Sequence, residues 1–228
     1  MGIRSHKMIK VEHLTKKFKG KTIFENINCT LESGKSYAIV GKSGAGKTTF
    51  LNVLSGLEEP TSGKVIIDNL PVNAKNQRKL YREYCGFIFQ NFALIDTETV
   101  RQNLQLGLAN QKLAKKSTDA KMTAALSQVG LDRMPLKQKV YTLSGGEQQR
   151  VALARIILKE PKEIFADEPT GSLDANNGQI VLQTLLNGFD PTTTVIIATH
   201  DPAIWQKCDY VIKIANRTIS ISNKEGGK

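Results

Sequence analysis

The sequence predicts an α/β fold, a parallel sheet flanked by helices, with an antiparallel β-subdomain at its start and an inserted all-helical subdomain. One observation is a glycine-rich loop that stands between a short apolar run and a stretch with helical spacing. Another is that strand-like and helix-like stretches alternate along most of the chain. Between residues 91 and 158, by contrast, apolar residues follow helical spacing and β-branched clusters are rare. We expect a single domain over 1–228, with 1–90 and 159–228 in the core and 91–158 in the helical subdomain.

The predicted strands are short runs rich in apolar and β-branched residues, which lie on both sides of the helical part. Glycines in the C-cap position end two of the predicted helices, at Gly56 and Gly130. The last two strand-like runs form a predicted hairpin that turns at Asn216 and Arg217. The predicted strands are 9–14, 22–31, 35–40, 64–68, 85–89, 164–166, 194–198, 210–214 and 218–222, and helical spacing covers 49–54, 122–129, 151–158 and 180–186.

The composition is that of a globular protein with a sizeable core, since 40% of the 228 residues are hydrophobic and 23% are charged. Cys29, Cys85 and Cys208 are scattered and lack Cys-x-x-Cys spacing, which argues against a disulfide framework or a zinc site and fits a reducing cytosol. No apolar run approaches the ~18–20 residues of a membrane span. We expect no secretory signal, because no apolar segment follows the basic N-terminus.

The chain is strongly basic, with a formal net charge of +11. Lysines are crowded between residues 16 and 21 and again between 112 and 116. A basic surface suits nucleotides, anionic membrane faces and nucleic acids alike. The simpler interpretation, which we favour, is a solvated lysine-rich face.

The glycine loop has the pattern G-x-x-x-x-G-K-[ST] of a phosphate-binding loop. Its glycines let backbone N–H groups approach a phosphate, and the helix that follows adds the positive end of its dipole. Lys47 would reach the β- and γ-phosphates, and the Thr48 hydroxyl would take one Mg²⁺ position. We therefore expect the chain to bind a nucleoside triphosphate. The predicted contacts are Gly41, Lys42, Ser43, Gly44, Ala45, Gly46, Lys47, Thr48 and Thr49.

A second helix start with features of an anion site lies at residues 143–150, Leu-Ser-Gly-Gly-Glu-Gln-Gln-Arg. Ser144 and Glu147 form a predicted capping box, and the two bare glycines Gly145 and Gly146 leave backbone N–H groups open to an anion. One domain already has its phosphate loop. This second start therefore suggests contact with a nucleotide held by another copy of the chain.

Polar residues end three of the apolar strands, where ligands bind in an open α/β sheet. Asp167 would hold Mg²⁺, and Glu168 would act as the general base for, or position, a water attacking the γ-phosphate. His200 would bond the γ-phosphate or orient that water, although a histidine at a strand end is more often merely exposed. Gln90 can accept from water or coordinate the metal, and by itself it is a weak signal.

Together these motifs resemble the ATP-binding subunit of an ABC transporter over about residues 9–221. Residues 41–48 correspond to the Walker A motif, 143–148 to the family signature, 164–168 to Walker B with its catalytic glutamate, and 172–174 to the D-loop. The positions of the Q-loop glutamine, the H-loop histidine, the D-loop aspartate and the adenine-stacking aromatic are taken by Gln90, His200, Asp174 and Phe18.

The resemblance implies a head-to-tail homodimer, formed when ATP binds, with two ATP molecules at its interface. Each ATP would be held by Walker A of one copy and by Ser144 and Gly146 of the other. It also implies an integral-membrane permease partner that docks at the helical insertion. The subunit would then be cytoplasmic and peripheral on the inner face of the cell membrane.

Within the family, residues 168–174 and the short chain resemble the MacB/LolD/FtsE branch. Residues 89–95 and 98–100 resemble ATPases assigned to export of bacteriocins or antimicrobial peptides. Residues 96–98, Asp-Thr-Glu, depart from the leucine- and proline-containing segment of that branch, which leaves partner and cargo open. At Glu163, another departure, we expect a solvent-facing strand end.

Three other functions remain as alternatives. A soluble ABC-type ATPase acting on nucleic acid would fit the basic charge. Repair and chromosome-organising versions split the motifs with long heptads or cysteine-rich zinc modules, neither of which this sequence has, and translation-factor versions carry two cassettes rather than one. We therefore expect no specific nucleic acid. A P-loop kinase would leave residues 143–150 without a role. An FtsE-like ATPase would hydrolyse ATP slowly and regulate a cell-wall process through a permease-like partner.

Overall fold

The computed structural model describes residues 8–89, 91–111, 114–171 and 173–223. Gln90, a predicted metal and water ligand, and Ser172 of the predicted D-loop lie outside the described residues. The strands are β1 (Met8–Phe18), β2 (Lys21–Glu32), β3 (Ser36–Val40), β4 (Ser62–Ile67), β5 (Leu70–Pro71), β6 (Cys85–Ile88), β7 (Glu163–Asp167), β8 (Thr194–Ala198), β9 (Tyr210–Ala215) and β10 (Thr218–Asn223).

Helices occupy about half of the described residues that lie outside the strands. Two of them, α2 and α7, lie where the sequence analysis predicts no element. Both are short, and α2 buries no residue, so neither gives a periodic apolar pattern in the sequence. The α-helices are α1 (Lys47–Ser55), α2 (Ala74–Lys79), α3 (Val100–Gly107), α4 (Lys115–Gln128), α5 (Gly145–Lys159), α6 (Ala175–Asn187) and α7 (Pro202–Trp205); a π-helical turn covers Leu80–Tyr84 and a 3₁₀ turn covers Val140–Thr142.

The strands form two sheets, as the predicted fold class requires. The antiparallel sheet has the order β2-β1-β4-β5. The second sheet has the order β10-β9-β3-β8-β7-β6, and its strands are parallel except for β10. The predicted terminal hairpin is confirmed: Thr218 pairs with Ala215, and Asn216 and Arg217 turn with positive φ angles of 50° and 62°.

The central sheet is covered on both faces, so its strands alternate between two hydrophobic clusters. Along β7, Ile164 and Ala166 face the cluster that contains the apolar sides of α3 to α6, whereas Phe165 faces the cluster shared with α1 and the antiparallel sheet. The period of two follows from the pleat of a strand. A sheet covered in this way leaves its strand ends, rather than its faces, as sites for chemistry.

Residues 91–158 contain α3, α4 and most of α5, and no strand lies in the part of this segment that the structure describes. An isolated antiparallel bridge joins Thr99 to Lys139. The division of the chain into core and helical subdomain stays a prediction. None of the helices in the described ranges is both long and apolar enough to cross a bilayer.

The prediction of a solvent-facing Glu163 is wrong. Glu163 opens β7, which lies between β6 and β8, and only 1% of the residue is exposed. The strand begins inside the sheet, opposite Cys85 of β6 and Thr194 of β8, so its first side chain is already covered. Strand order decides this burial, and the local sequence does not reveal it.

Candidate nucleotide-binding site

The phosphate-type loop joins β3 to α1 and is open to solvent. Gly46 is the N-cap residue of α1 and has a φ angle of 100°, which L-residues with a side chain rarely adopt. A Cβ there would lie 2.4 Å from Cγ2 of Ile23 on β2, so the site also excludes a side chain by contact. In this structure the Lys47 ammonium donates to the carbonyl oxygen of Gly41 at 3.2 Å, inside the loop. The loop therefore has the open backbone that the motif predicts.

Asp167 at the end of β7 meets the start of α1. The Thr48 hydroxyl donates to Oδ1 of Asp167 at 3.1 Å, although 119 residues separate them in sequence. Burial raises the pKa of Asp167 above its ordinary value, against the lowering effect of the Thr48 hydrogen bond. A hydroxyl and a carboxylate are hard oxygen donors of the kind that Mg²⁺ prefers. The pair fits the predicted Mg²⁺ position.

Glu168 lies next to Asp167 and is held by residues that follow β8. Its Oε1 lies 2.8 Å from Nδ1 of His200, and its Oε2 accepts from the Thr199 hydroxyl at 3.3 Å. The Glu168 side chain is 23% exposed and that of His200 is 75% exposed. Glu168 has a φ angle of 43°, and its N–H donates to the carbonyl oxygen of Ala198 at 2.9 Å. A carboxylate at the rim with this exposure can accept a proton from a water molecule.

The predicted capping box at the start of α5 is confirmed. The Glu147 N–H donates to the Ser144 hydroxyl at 3.3 Å, and the Ser144 N–H donates to Oε2 of Glu147 at 2.8 Å. The Ser144 backbone and side-chain bonds hold the pKa of Glu147 below its ordinary value. Ser144 and Gly145 are exposed, so backbone donors of this helix start can reach a ligand from outside.

The two glycines of this helix start have different surroundings. A Cβ on Gly145 would have its nearest neighbour at 3.9 Å, on Phe92, whereas a Cβ on Gly146 would lie 2.7 Å from the side chain of Asn177. Asn177 in turn bonds to Asp174, the N-cap residue of α6 and a predicted nucleotide contact. These bonds hold the pKa of Asp174 below its ordinary value. The helix starts of α5 and α6 are thus packed together within one chain.

Phe18, the predicted adenine contact, ends β1 and is 41% exposed. It pairs with Lys21 across the β1–β2 turn. The same β2 strand carries Ile23, which contacts Gly46 of the phosphate-type loop. The Lys16 ammonium lies 4.5 Å from the centroid of the Phe18 ring. Phe18 is therefore an accessible aromatic ring on a hairpin that packs against this loop.

Two contacts of the candidate site are absent from the sequence-based set. Thr199 is fully buried and touches Glu168, and Asn177 lies between Asp174 and Gly146. A polar residue at the end of an apolar strand is the available signal for Thr199. Asn177 stands three residues after an N-cap aspartate, a position whose side chain the sequence pattern does not orient. The roles of the predicted residues toward ligands stay predictions.

Comparison with known proteins identifies relatives over nearly the whole chain. A family model described as ABC transporter matches residues 24–171. The ABC transporter ATP-binding protein YxdL of Bacillus subtilis is 35% identical over 214 residues, which are 91% of this chain and 83% of that protein. The macrolide export ATP-binding/permease protein MacB of Campylobacter jejuni is also 35% identical, over 96% of this chain but 34% of its own length.

Solved structures of ABC proteins are also similar to this chain. The dimeric, post-hydrolysis structure of the ATP-binding cassette MJ0796 with ADP and Pi superposes with a TM-score of 0.83 at 30% identity, covering 94% of this chain and 98% of that one. CbiO1 of Clostridium perfringens, part of the ABC transporter complex cbiONQ, superposes with a TM-score of 0.84 at 29% identity, covering 97% of this chain and 90% of that one.

Proposed function

Because the chain belongs to the ABC transporter family of ATPases, we propose that two copies close head to tail around two ATP molecules and so drive a separate membrane permease. One observation carries this proposal: the chain has two helix starts that can accept an anion, at Lys47 and at Gly145. No hydrogen bond or ion pair in the described part of the chain joins residues 144–147 to residues 41–49. The second start is thus available to a nucleotide bound by another copy.

The chemistry follows from the residues at the strand ends. The loop N–H groups and Lys47 would bind the phosphates, and Glu168 would accept a proton from the attacking water. His200 would hold that carboxylate or the γ-phosphate, as its 2.8 Å contact with Glu168 allows. A bound Mg²⁺, held by Thr48 and Asp167 and in our proposal by Gln90, would supply positive charge at the β- and γ-phosphates.

The permease would dock at a groove beside the segment that follows β6. The groove has a volume of about 230 Å³ and is lined by Phe87, Phe89, Leu106 and Arg155, among others. Leu106 is 51% exposed, so an apolar side chain lies open to solvent at this groove. This mixed apolar and cationic surface suits an amphipathic helix of a membrane protein.

We propose further that the subunit is cytoplasmic and bound to the inner face of the membrane, and that it belongs to the MacB-like branch. For a member of this branch we propose export of a peptide or lipid-like cargo as the transport function. In support, the name of MacB of Campylobacter jejuni contains the word export. An FtsE-like regulatory ATPase, with slow hydrolysis, remains the second candidate inside the family. Purification of the chain with its membrane partner distinguishes the two, because it identifies the permease.

The first experiment is the substitution Glu168→Gln, which keeps the size of the side chain and removes the base. We expect hydrolysis to fall by at least about 100-fold, while ATP binding persists. The trapped ATP should give a dimer in gel filtration, because a ligand that binds only the closed dimer stabilises it. Lys47→Ala, which weakens phosphate binding, is the control that should show neither hydrolysis nor the ATP-dependent dimer.

Two results would contradict the proposal. Undiminished hydrolysis in Glu168→Gln would remove Glu168 from its role as base. A monomer that hydrolyses ATP at full rate with Ser144 and Gly146 substituted would contradict the shared site. Salt-sensitive binding of DNA or RNA with micromolar affinity would instead favour the nucleic-acid ATPase.

A further inference from the structure

Lys16, near the end of β1 in the β1–β2 hairpin, has an unusual environment for a lysine. Only 11% of its side chain is exposed. Its ammonium donates to the carbonyl oxygen of Glu59 at 2.7 Å and lies 3.0 Å from Oε1 of Glu58. A buried ammonium is unfavourable unless it is paired in this way. The three-dimensional structure therefore holds this charge in one place.

The third contact of the ammonium is the ring of Phe18, whose centroid lies 4.5 Å away. The positive charge is attracted to the electron-rich face of an aromatic ring. One face of Phe18 is thereby covered, while 41% of the residue stays exposed. The ring is thus restrained on its inner side and accessible on its outer side.

The anchors of Lys16 lie beyond the C-terminal end of α1, at the opposite end of this helix from the phosphate-type loop. Glu58 and Glu59 lie in the loop that follows α1, and the Glu58 N–H donates to the carbonyl oxygen of Asn52 in α1 at 3.1 Å. The helix α1 itself begins at Lys47, in the phosphate-type loop. Lys16 therefore connects the aromatic ring to the loop at the C-terminal end of α1, the helix whose first turn would hold the phosphates.

We propose that Lys16 is a positioning residue for nucleotide binding, which fixes the Phe18 ring at a set distance from the phosphate loop and so prepares it to stack on the base. The proposal rests on the proposed function, because it assumes that the base contacts Phe18. Restraining the ring before binding lowers the entropy that stacking costs. Lys16 touches the ring rather than the nucleotide, so its effect should depend on the base.

The test compares Mg-ADP with Mg-pyrophosphate, which carries the two phosphates without base or ribose, by titration calorimetry on the full chain. Lys16→Met keeps the length of the side chain and removes its charge. We expect it to weaken ADP binding by about two- to fivefold and to leave pyrophosphate binding unchanged. Lys16→Arg is the matched control, since a guanidinium can also pair with Glu58 and stack on the ring; its ADP affinity should stay near that of the parent.

A double variant decides whether Lys16 acts through the ring. In a Phe18→Ala background, Lys16→Met should cause no further loss of ADP affinity. Unchanged ADP affinity in Lys16→Met, or equal weakening of ADP and pyrophosphate, would overturn the proposal, the second result because it indicates damage to the phosphate site.

If Phe18 does not contact the nucleotide base, the same experiments give a different result. If Phe18→Ala itself leaves ADP binding unchanged, Phe18 does not stack on the base, and the proposal fails together with that role. Loss of both probes in Lys47→Ala would still support the phosphate site in that case.

Discussion

At the scale of single residues, the candidate site uses backbone conformations that the sequence does not reveal. Glu168 has a left-handed φ of 43°, which costs roughly 1–2 kcal/mol for a residue with a side chain. Its N–H bond to Ala198 and the side-chain contacts to Thr199 and His200 offset this cost. This backbone conformation directs the carboxylate toward the residues after β8, where it contacts His200.

The two glycines of the α5 start provide a test at this scale. Gly145→Ala introduces a Cβ with no neighbour closer than 3.9 Å, whereas a Cβ at Gly146 lies 2.7 Å from Asn177. We expect Gly145→Ala to keep or slightly raise the melting temperature, since alanine favours a helix. Gly146→Ala should lower it by about 2–4 °C, which corresponds to roughly 1 kcal/mol, as measured by thermal unfolding.

The contact with Asn177 has its own control. In a chain that carries Asn177→Ala, the substitution Gly146→Ala should be tolerated, because the obstructing side chain is gone. If Gly146→Ala remains destabilising there, the conflict lies elsewhere in α5. Gly145→Ala should nevertheless reduce ATP-dependent dimerisation if this surface faces the nucleotide of the other copy.

At the scale of elements, α5 connects its own start, where we predict contact with an anion, to the rest of the candidate site. Near its middle, Arg155 donates to the carbonyl oxygen of Ala93 at 2.7 Å and to that of Phe92 at 3.4 Å. Near its end, Lys159 donates to the carbonyl oxygen of Cys85 at 2.6 Å. Burial lowers the pKa of both Arg155 and Lys159, so these cations depend on their carbonyl partners. The helix thus fixes the segments on both sides of Gln90.

A comparison of two helices that begin with the same kind of cap can separate an effect on stability from an effect on function. Thr99 at α3 and Ser144 at α5 both form complete capping boxes. Thr99→Ala and Ser144→Ala should each lower the free energy of unfolding by about 1 kcal/mol, because each leaves a helix N–H without its partner. We expect only Ser144→Ala to lose ATP-dependent dimerisation and hydrolysis as well. Denaturant unfolding and gel filtration measure the two effects.

The matched cap makes the outcome easy to interpret. If Thr99→Ala loses hydrolysis as strongly as Ser144→Ala, loss of helix order explains both results and the special role of Ser144 fails. If both variants hydrolyse ATP normally, the start of α5 does not contact the nucleotide.

At the scale of the whole molecule, one sheet divides two hydrophobic clusters. Cys85 is buried in the cluster shared with α1, and Cys208 is buried in the cluster on the opposite face. Burial raises the pKa of the Cys85 thiol to about 12, so it stays protonated in the native protein. Cys29 is only partly buried and also has a pKa raised to about 12 by burial. The clusters share the central strands, which makes separate unfolding of either face unfavourable.

These thiols report whether the two faces unfold together. In a Cys29→Ser background, we expect Cys85 and Cys208 to react with a thiol reagent at the same slow rate, set by global unfolding. Variants that retain one thiol each assign the rates. Mg-ADP at a hundredfold excess over its dissociation constant should slow both by about 100-fold, because it binds the native state. Markedly different rates would show that one face opens alone.

Much of the fold and of the candidate site could be predicted from the sequence, because local chemistry determines it. The glycines of the phosphate loop, the Ser144–Glu147 capping box and the Asn216–Arg217 turn each require particular residue types within a few positions. The backbone geometry of strands and helices sets which side chains share one face, so the spacing of apolar residues indicates the type of element. The type and order of the main elements were therefore predictable from the sequence.

Only the tertiary structure decided which of these pieces meet. The strand order β3-β8-β7 places Thr48 within 3.1 Å of Asp167 and Glu168 within 2.8 Å of His200. It also buries Glu163, contrary to the prediction. The pairing of Lys16 with Glu58 and Glu59 arises in the same way, between a hairpin and the loop after α1. Such contacts depend on long-range packing of whole sheet faces, which residues a few positions apart do not encode.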